Sequence, residues 1–478
     1  MKQTPFFNRT KIVATIGPAT CSIENLSAII DEGVDVCRLN FSHGSYEDHK
    51  QVIDNINAVN KSKGTFVAKL LDLQGPKLRV GEMKDGKITL KTDSIITVTT
   101  KPEIGTAERI SVKFNTLPAD VKPGELILLD DGKLQLEVLS SNGVDEIKCK
   151  VTFGGALSSK KGFNLPHTNL SIPALTEKDR ADLLFGIEQK VDWIGLSFVR
   201  KAEDIIELKQ IIDQYEWKPR VIAKIEKPEA VKNLDEILEV TDGVMVARGD
   251  LGVEMPMAQV PIIQKMIVKK CIEKGKPVII ATQMMESMIQ NPSPTRAELN
   301  DIANAVMDGA DAVMLSAETS VGAYPVLSVR YMHETIKEAE KTNAPFFKGK
   351  RPTEQSPTFL SDEICFTAVR ISDHLKAAAI VSMTFSGYTA YKISSFRPRA
   401  TIFIFTSNVR LISTLNLVWG VRAFYYKGFD STDHSIQTVN DALVEMGFIK
   451  KGDLVINTAS MPIKERARTN ALKITEIK

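Results

Sequence analysis

From Lys11 to about Thr342 the chain repeats one unit, in which a short apolar strand ends in a polar residue and an amphipathic helix follows. The strands read as Lys11–Ile16, Asp35–Asn40, Phe66–Asp72, Asp192–Ser197, Val221–Glu226, Gly243–Val246, Pro277–Thr282 and Asp311–Ser316. Segments such as Pro277-Val-Ile-Ile-Ala-Thr are apolar almost without interruption, as parallel strands must be when helices cover both faces of their sheet. Ser22-Ile-Glu-Asn and Thr176-Glu-Lys-Asp put a capping hydroxyl and acidic residues where helices should start. Eight such strands predict an α/β fold built on a (β/α)8 TIM barrel, about 250 residues long once one insertion is set aside.

The insertion follows the third strand. From about Gly75 to Pro166 the pattern becomes short strands joined by Asp-Gly and Asn-Gly turns, as in Lys84-Asp-Gly-Lys, Asp130-Asp-Gly-Lys and Ser141-Asn-Gly-Val. These are hairpin signals, and the Ile, Val and Leu content of Lys87–Thr99 and Glu125–Val138 is too high for a disordered loop. After Ala344 a stretch rich in proline and charge reads as a linker, and α/β alternation then returns with strands at Ala378–Met383, Thr401–Thr406, Val421–Tyr426 and Asp453–Thr458. The expected organisation is a barrel from 1–73 and 168–345, a small inserted β-barrel domain at 74–167, and a C-terminal α/β domain at 357–478. A chain of 478 residues has room for all three at roughly 150 residues each.

Charge and cysteine usage exclude several classes. Lys and Arg number 61 against 59 Asp and Glu, without the basic excess of a nucleic-acid-binding protein. Cys21, Cys37, Cys149, Cys271 and Cys365 are odd in number and have no C-x-x-C spacing, so a disulfide framework or zinc site is not expected and a reducing cytoplasm fits. No run approaches the ~20 apolar residues of a membrane span. Walker-type, G-x-G-x-x-G, G-x-S-x-G and H-E-x-x-H motifs are absent, so any nucleotide binds without a P-loop.

In a parallel barrel the reactive groups sit at the carboxyl ends of the strands. Those ends carry Arg38, Asn40, Ser42 and His43; Asp72, Lys77 and Arg79; Lys224 and Glu226; Arg248 and Asp250; Thr282; Ser316 and Glu318. Lys224 and Glu226, two apart, share a strand face, and Arg248 and Asp250 do so if their strand runs straight. Glu226 and Asp250, on adjacent strands, offer the hard oxygens that Mg2+ or Mn2+ takes alongside substrate and water. Ion pairs with Lys224 and Arg248 are the alternative. Lys224 itself fits a Schiff base, an electrostatic clamp or an ion-pair partner. Arg38 and Arg79 suit carboxylate or phosphate, or lie on the surface. Lys160 and Lys161 are phosphate contacts or a solvated charge pair.

At these residues the sequence resembles the pyruvate kinase family. The motifs are Lys11-Ile-Val-Ala-Thr-Ile-Gly-Pro-Ala, Arg38-Leu-Asn-Phe-Ser-His-Gly, Leu71-Asp-Leu-Gln-Gly-Pro-Lys-Leu-Arg, Lys224-Ile-Glu, Met245-Val-Ala-Arg-Gly-Asp-Leu-Gly, Ala281-Thr-Gln-Met-Met-Glu-Ser-Met and Met314-Leu-Ser-Ala-Glu-Thr. They run in matching order from about Lys11 onward and are strongest in the barrel. The resemblance implies phosphoryl transfer from phosphoenolpyruvate to ADP, giving pyruvate and ATP, in a cytoplasmic homotetramer. It makes the insertion a mobile lid and the C-terminal domain an effector-binding one.

The resemblance also distributes roles. Glu226 and Asp250 bind Mg2+ or Mn2+, Lys224 stabilises the transferring phosphoryl group and the enolate, and Arg38 holds the phosphate. Thr282 and the N–H groups near Gly249 and Asp250 orient the carboxylate. Arg79, His43, Lys161 and Pro18 lie on the nucleotide side. Asn40, Ser42, Asp72 and Leu73 match the family's monovalent-cation site.

The sequence departs from the family pattern at three places. Gln74 stands where many members have lysine. Lys77 replaces a common glutamate and implies that K+ is not required, because its ammonium supplies a positive charge beside Asp72. The loop Thr384-Phe-Ser-Gly-Tyr-Thr389 resembles the effector phosphate cradle, with Ser386, Gly387 and Tyr388 at its centre and Lys464, Arg466 and Arg468 as added charge. The tryptophan and arginine that would hold a second phosphate are replaced by Ser431 and Thr438. A sugar or nucleoside monophosphate is therefore expected there rather than fructose 1,6-bisphosphate. The rival classes are a metal-dependent enolate lyase or aldolase on the same barrel, which needs no lid, and an inactive sugar-phosphate sensor, which would not keep Lys224, Glu226, Asp250 and Thr282.

Overall fold

The computed structural model describes residues 7–166, 168, 173–428, 431–462 and 467–478. Eight parallel strands close into a barrel: β1 (Lys11–Thr15), β2 (Val36–Asn40), β3 (Ala68–Asp72), β4 (Trp193–Leu196), β5 (Arg220–Ile225), β6 (Gly243–Ala247), β7 (Val278–Ala281) and β8 (Ala312–Leu315). Each pairs with the next in sequence, and β8 returns to β1 with Ala312 opposite Lys11. The helices start where hydroxyl and acidic residues cap them. Ser45 with Asp48, Thr176 with Asp179 and Thr295 with Glu298 each form a reciprocal capping box. The inward side chains, among them Val13, Leu70, Trp193, Met245 and Ile279, fill the barrel, and the outward ones pack on the helices.

Between β3 and β4 the chain builds a separate apolar core from a six-stranded sheet and a two-stranded one. The larger sheet curls until its edge strands, Arg109–Ser111 and Phe163–Asn164, approach the same segment. Val80 bridges to Val112 and Arg79 to Gly162, stitching the two edges together.

The C-terminal sheet comprises β9 (Ala379–Met383), β10 (Thr401–Thr406), β11 (Val421–Tyr425), β12 (Leu454–Ala459) and β13 (Ala471–Glu476). Its order is β11-β10-β9-β12-β13, with β13 alone antiparallel. The stretch before it is packed rather than loose. Phe346 lies under the guanidinium groups of Arg9 and Arg399, and the Phe347 N–H donates to the Arg397 carbonyl at 3.0 Å.

The C-terminal domain docks on the amino ends of the barrel strands. Leu417 joins the apolar cluster inside the barrel, and Trp193 Nε1 donates to Thr414 O at 3.3 Å. Asp311, just before β8, accepts from Arg397 Nη2 at 2.7 Å and the Trp419 N–H at 3.1 Å. The carboxyl ends of all eight strands are left for chemistry. No helix among the described residues is long and apolar enough to cross a membrane.

Candidate active site

The centre of the site is a buried chain of charges at the ends of β2, β3 and β5. Asp72 closes β3 and is 1% exposed. Arg38 grips its Oδ2 from Nε and Nη2, both at 2.7 Å, and Lys224 Nζ lies 3.0 Å from its Oδ1. Lys224 also pairs with Glu226 Oε1 at 2.9 Å and donates to Ser197 Oγ at 2.6 Å. Burial opposes ionisation of Asp72, but Lys224 and Arg38 outweigh it and hold the carboxyl below the usual range. Burial likewise disfavours the Lys224 ammonium, yet Asp72 and Glu226 together hold its pKa above the ordinary lysine value. A lysine so held stays charged. That is the state an electrostatic clamp requires, and not that of an amine ready to form a Schiff base.

Glu226 and Asp250 form the second feature. Glu226, 1% exposed, also accepts the Phe198 N–H through Oε2 at 2.7 Å. Burial pushes its carboxyl up and Asp250 pushes the same way, against Lys224. Two carboxylates close enough to repel one another at the mouth of a barrel fit a small divalent ion that keeps part of its water shell. Among the described residues no third His, Cys, Asp or Glu completes an all-protein metal cage. Such an ion would therefore take its other ligands from substrate and water.

The β6 end differs from the straight-strand expectation. The strand stops at Ala247 and a helix, Arg248–Glu254, begins at once. Arg248 and Asp250 consequently diverge. Arg248 reaches Asp301 at 2.7 Å and the Thr282 carbonyl at 2.6 Å, whereas Asp250 faces Lys77 at 3.4 Å. The Gly249 N–H donates to Thr282 Oγ1 at 2.8 Å. Thr282 has φ +69°, a left-handed conformation costly for a β-branched residue, at the site's rim.

The remaining residues divide between the barrel mouth and the inserted domain. Asn40 Oδ1 accepts the Ser42 N–H at 3.2 Å, Leu73 is buried, and His43 and Pro18 are exposed at the rim. Lys77, expected beside Asp72, stands at Asp250 instead, and Asp72 is neutralised by Arg38 and Lys224. Arg79 and Lys161 belong to the inserted domain. Arg79 Nη1 donates to Lys160 O at 3.0 Å, and Lys161 pairs with Asp130 at 2.9 Å.

In the C-terminal domain the helix Tyr388–Ser395 starts behind Gly387, whose φ of +84° favours glycine. Thr384 Oγ1 accepts the Gly387 N–H at 3.1 Å, Ser386 is exposed, and Thr389 is buried against Thr469 at 2.7 Å. The Tyr388 hydroxyl donates to Asp362. Arg468 Nη1 binds the Pro357 carbonyl at 2.7 Å, while Lys464 and Arg466 lie outside the described residues. Ser431 and Thr438 belong to the helix Thr432–Glu445, the first as its cap.

Sequence reasoning passed over Thr15, Ser197 and the Phe198 N–H. Thr15 Oγ1 accepts from Arg38 Nη1 at 2.9 Å, and Ser197 sits under Lys224. Both are polar residues near the ends of apolar strands, the same signal that exposed Asp72.

Comparison with known proteins agrees with this architecture. The family model described as pyruvate kinase, barrel domain, matches residues 7–329, and that described as pyruvate kinase, alpha/beta domain, matches 362–475. The chain is 46% identical over 471 residues to a pyruvate kinase of Geobacillus stearothermophilus, covering 98% of this chain and 80% of that one. It is 43% identical over 467 residues to pyruvate kinases of Staphylococcus aureus, with the same coverage. The crystal structure of a pyruvate kinase from Cryptosporidium parvum superposes with a TM-score of 0.92 at 34% identity, covering 98% of this chain and 96% of that chain. Matches that span the barrel and the C-terminal domain alike establish that the chain belongs to the pyruvate kinase family of transferases.

Proposed function

We propose that the protein transfers the phosphoryl group of phosphoenolpyruvate to ADP and releases pyruvate and ATP. The observation that carries this reading is Lys224, a buried ammonium kept charged between Asp72 and Glu226, with Arg38 on the other oxygen of Asp72. In-line phosphoryl transfer asks for positioning and charge neutralisation rather than a covalent nucleophile. In this scheme Arg38 binds the phosphate and Lys224 stabilises first the transferring group and then the enolate. The Gly249 and Asp250 amides, with Thr282, orient the substrate carboxylate. A Mg2+ or Mn2+ ion on Glu226 and Asp250 would neutralise substrate oxygens when bound. The inserted domain, taken as 74–167, is the lid that brings Arg79 and Lys161 toward a nucleotide placed near His43 and Pro18.

A Schiff-base aldolase is disfavoured because it needs a neutral amine at Lys224, and a metal-dependent lyase or aldolase because it has no use for the inserted domain that carries Arg79 and Lys161. Lys77 beside Asp250 supports turnover without K+. The loop Thr384–Thr389, with Ser386 exposed at a helix start, supports activation by a sugar or nucleoside monophosphate. The reading includes a cytoplasmic homotetramer. Formation of ATP from phosphoenolpyruvate and ADP, followed by coupling pyruvate to its reduction, tests the activity. Absence of ATP with both substrates and Mg2+ or Mn2+ present would sink it.

A further inference from the structure

Glu254 ends the helix that carries Gly249 and Asp250, and it is 2% exposed. One of its oxygens, Oε1, has two partners. Lys227 Nζ lies at 2.8 Å and Asn164 Nδ2 donates at 2.9 Å. Asn164 belongs to the inserted domain, where it pairs with Leu128 in the curled sheet. Lys227 is the residue after Glu226. The other oxygen, Oε2, is buried without a partner among the described residues. Glu254 also lines a cavity of about 40 Å³, together with Lys77, Asn164, Arg200 and Lys227. A carboxylate left half-satisfied indoors is costly, so its placement at this junction calls for a reason.

We propose that Glu254 is a positioning residue that couples the lid to the two proposed metal carboxylates. Asp250 lies on its own helix, Glu226 adjoins its lysine partner, and Asn164 is the lid's handle on the same oxygen. The proposal rests on the assignment of Glu226 and Asp250 as metal ligands and of 74–167 as the lid. Moving Asn164 alters the share of Oε1 left to Lys227, and hence the turn that follows Glu226.

Three variants separate the arms: Asn164→Ala cuts the lid side, Lys227→Met cuts the carboxylate side, and Glu254→Gln weakens both. The readouts are Mn2+ affinity of the substrate-free enzyme, by electron paramagnetic resonance of free Mn2+, and KM for ADP. Groups that orient metal ligands typically change affinity by about 10- to 100-fold when removed. Lys227→Met should weaken Mn2+ by about 10-fold. Asn164→Ala should chiefly raise KM for ADP. Glu254→Gln should do both, and adding Asn164→Ala to it should cost less in KM than Asn164→Ala costs alone. A folded Glu254→Gln enzyme with lowered Tm but wild-type Mn2+ affinity and KM overturns the proposal, as do additive effects in the double variant. If Glu254→Gln does not fold, wild-type values in both single-arm variants overturn it. Asp250→Asn is the control. Undiminished Mn2+ affinity there faults the metal assignment instead.

Discussion

The Lys77 ammonium faces Asp250 at 3.4 Å, so a positive charge is built into the barrel mouth beside one of the two proposed metal ligands. Asp72 has no need of it, being held already by Arg38 and Lys224. Turnover in buffer free of K+ and Na+ should therefore be close to turnover in added KCl. Lys77→Glu should create a K+ requirement, since it replaces a fixed cation with a second anion near Asp250. A wild-type enzyme that is nearly inactive until K+ is added would show this account of Lys77 to be wrong.

Lys224→Met should remove the charge clamp while leaving Arg38 on Asp72. Fixed donors aimed at developing negative charge are typically worth about 10²–10³ in rate. We expect kcat to fall by at least that factor in a protein whose circular dichroism is unchanged. A folded variant with the parent kcat refutes the role.

Arg397→Leu should destabilise the protein rather than its chemistry. Arg397 and Asp311 are both almost fully buried, and stripping one partner from such a pair costs about 3–5 kcal/mol. Burial already pushes the Asp311 carboxyl up, with Arg397 opposing it. Without Arg397 the folded pKa rises further above the unfolded value of about 3.9. A carboxyl raised on folding stabilises at low pH and loses that contribution as pH rises through the folded pKa. The Tm deficit should accordingly be wider at pH 8 than at pH 5, and adding Asp311→Asn should narrow it. A deficit independent of pH contradicts the argument.

Ser386→Asp places a negative charge at the exposed start of the helix Tyr388–Ser395. Activation by a sugar or nucleoside monophosphate, measured as a lowered half-saturating phosphoenolpyruvate concentration, should disappear while basal kcat is kept. Unchanged activation would remove this loop as the effector site.

Much of the architecture was readable from apolar runs, because a doubly covered parallel strand must be apolar throughout. Lys224 and Glu226 could be placed on one face from their spacing alone, and the Arg38 to Asp72 pairing lies between neighbouring strands. The divergence of Arg248 and Asp250 was not readable. It depends on a helix starting at the residue after the strand, and nothing in Ala247-Arg-Gly-Asp distinguishes that from continued extension. Strand β13 was also missed. Ala471-Leu-Lys-Ile-Thr-Glu is an edge strand, exposed enough to carry charges, so it lacks the apolar run that marked the others. Glu254 escaped notice because its partners, Asn164 and Lys227, are distant in sequence and meet only in the fold.

Leu417 comes from the C-terminal domain yet lies in the cluster that fills the barrel. It acts as a stopper in the barrel floor, with Trp193 fastened to the same segment through Thr414. The C-terminal domain is thus a structural part of the barrel, since it closes the floor on which the strands stand. Cutting the chain at the linker would leave an open-bottomed barrel with Trp193 facing water, not a smaller enzyme.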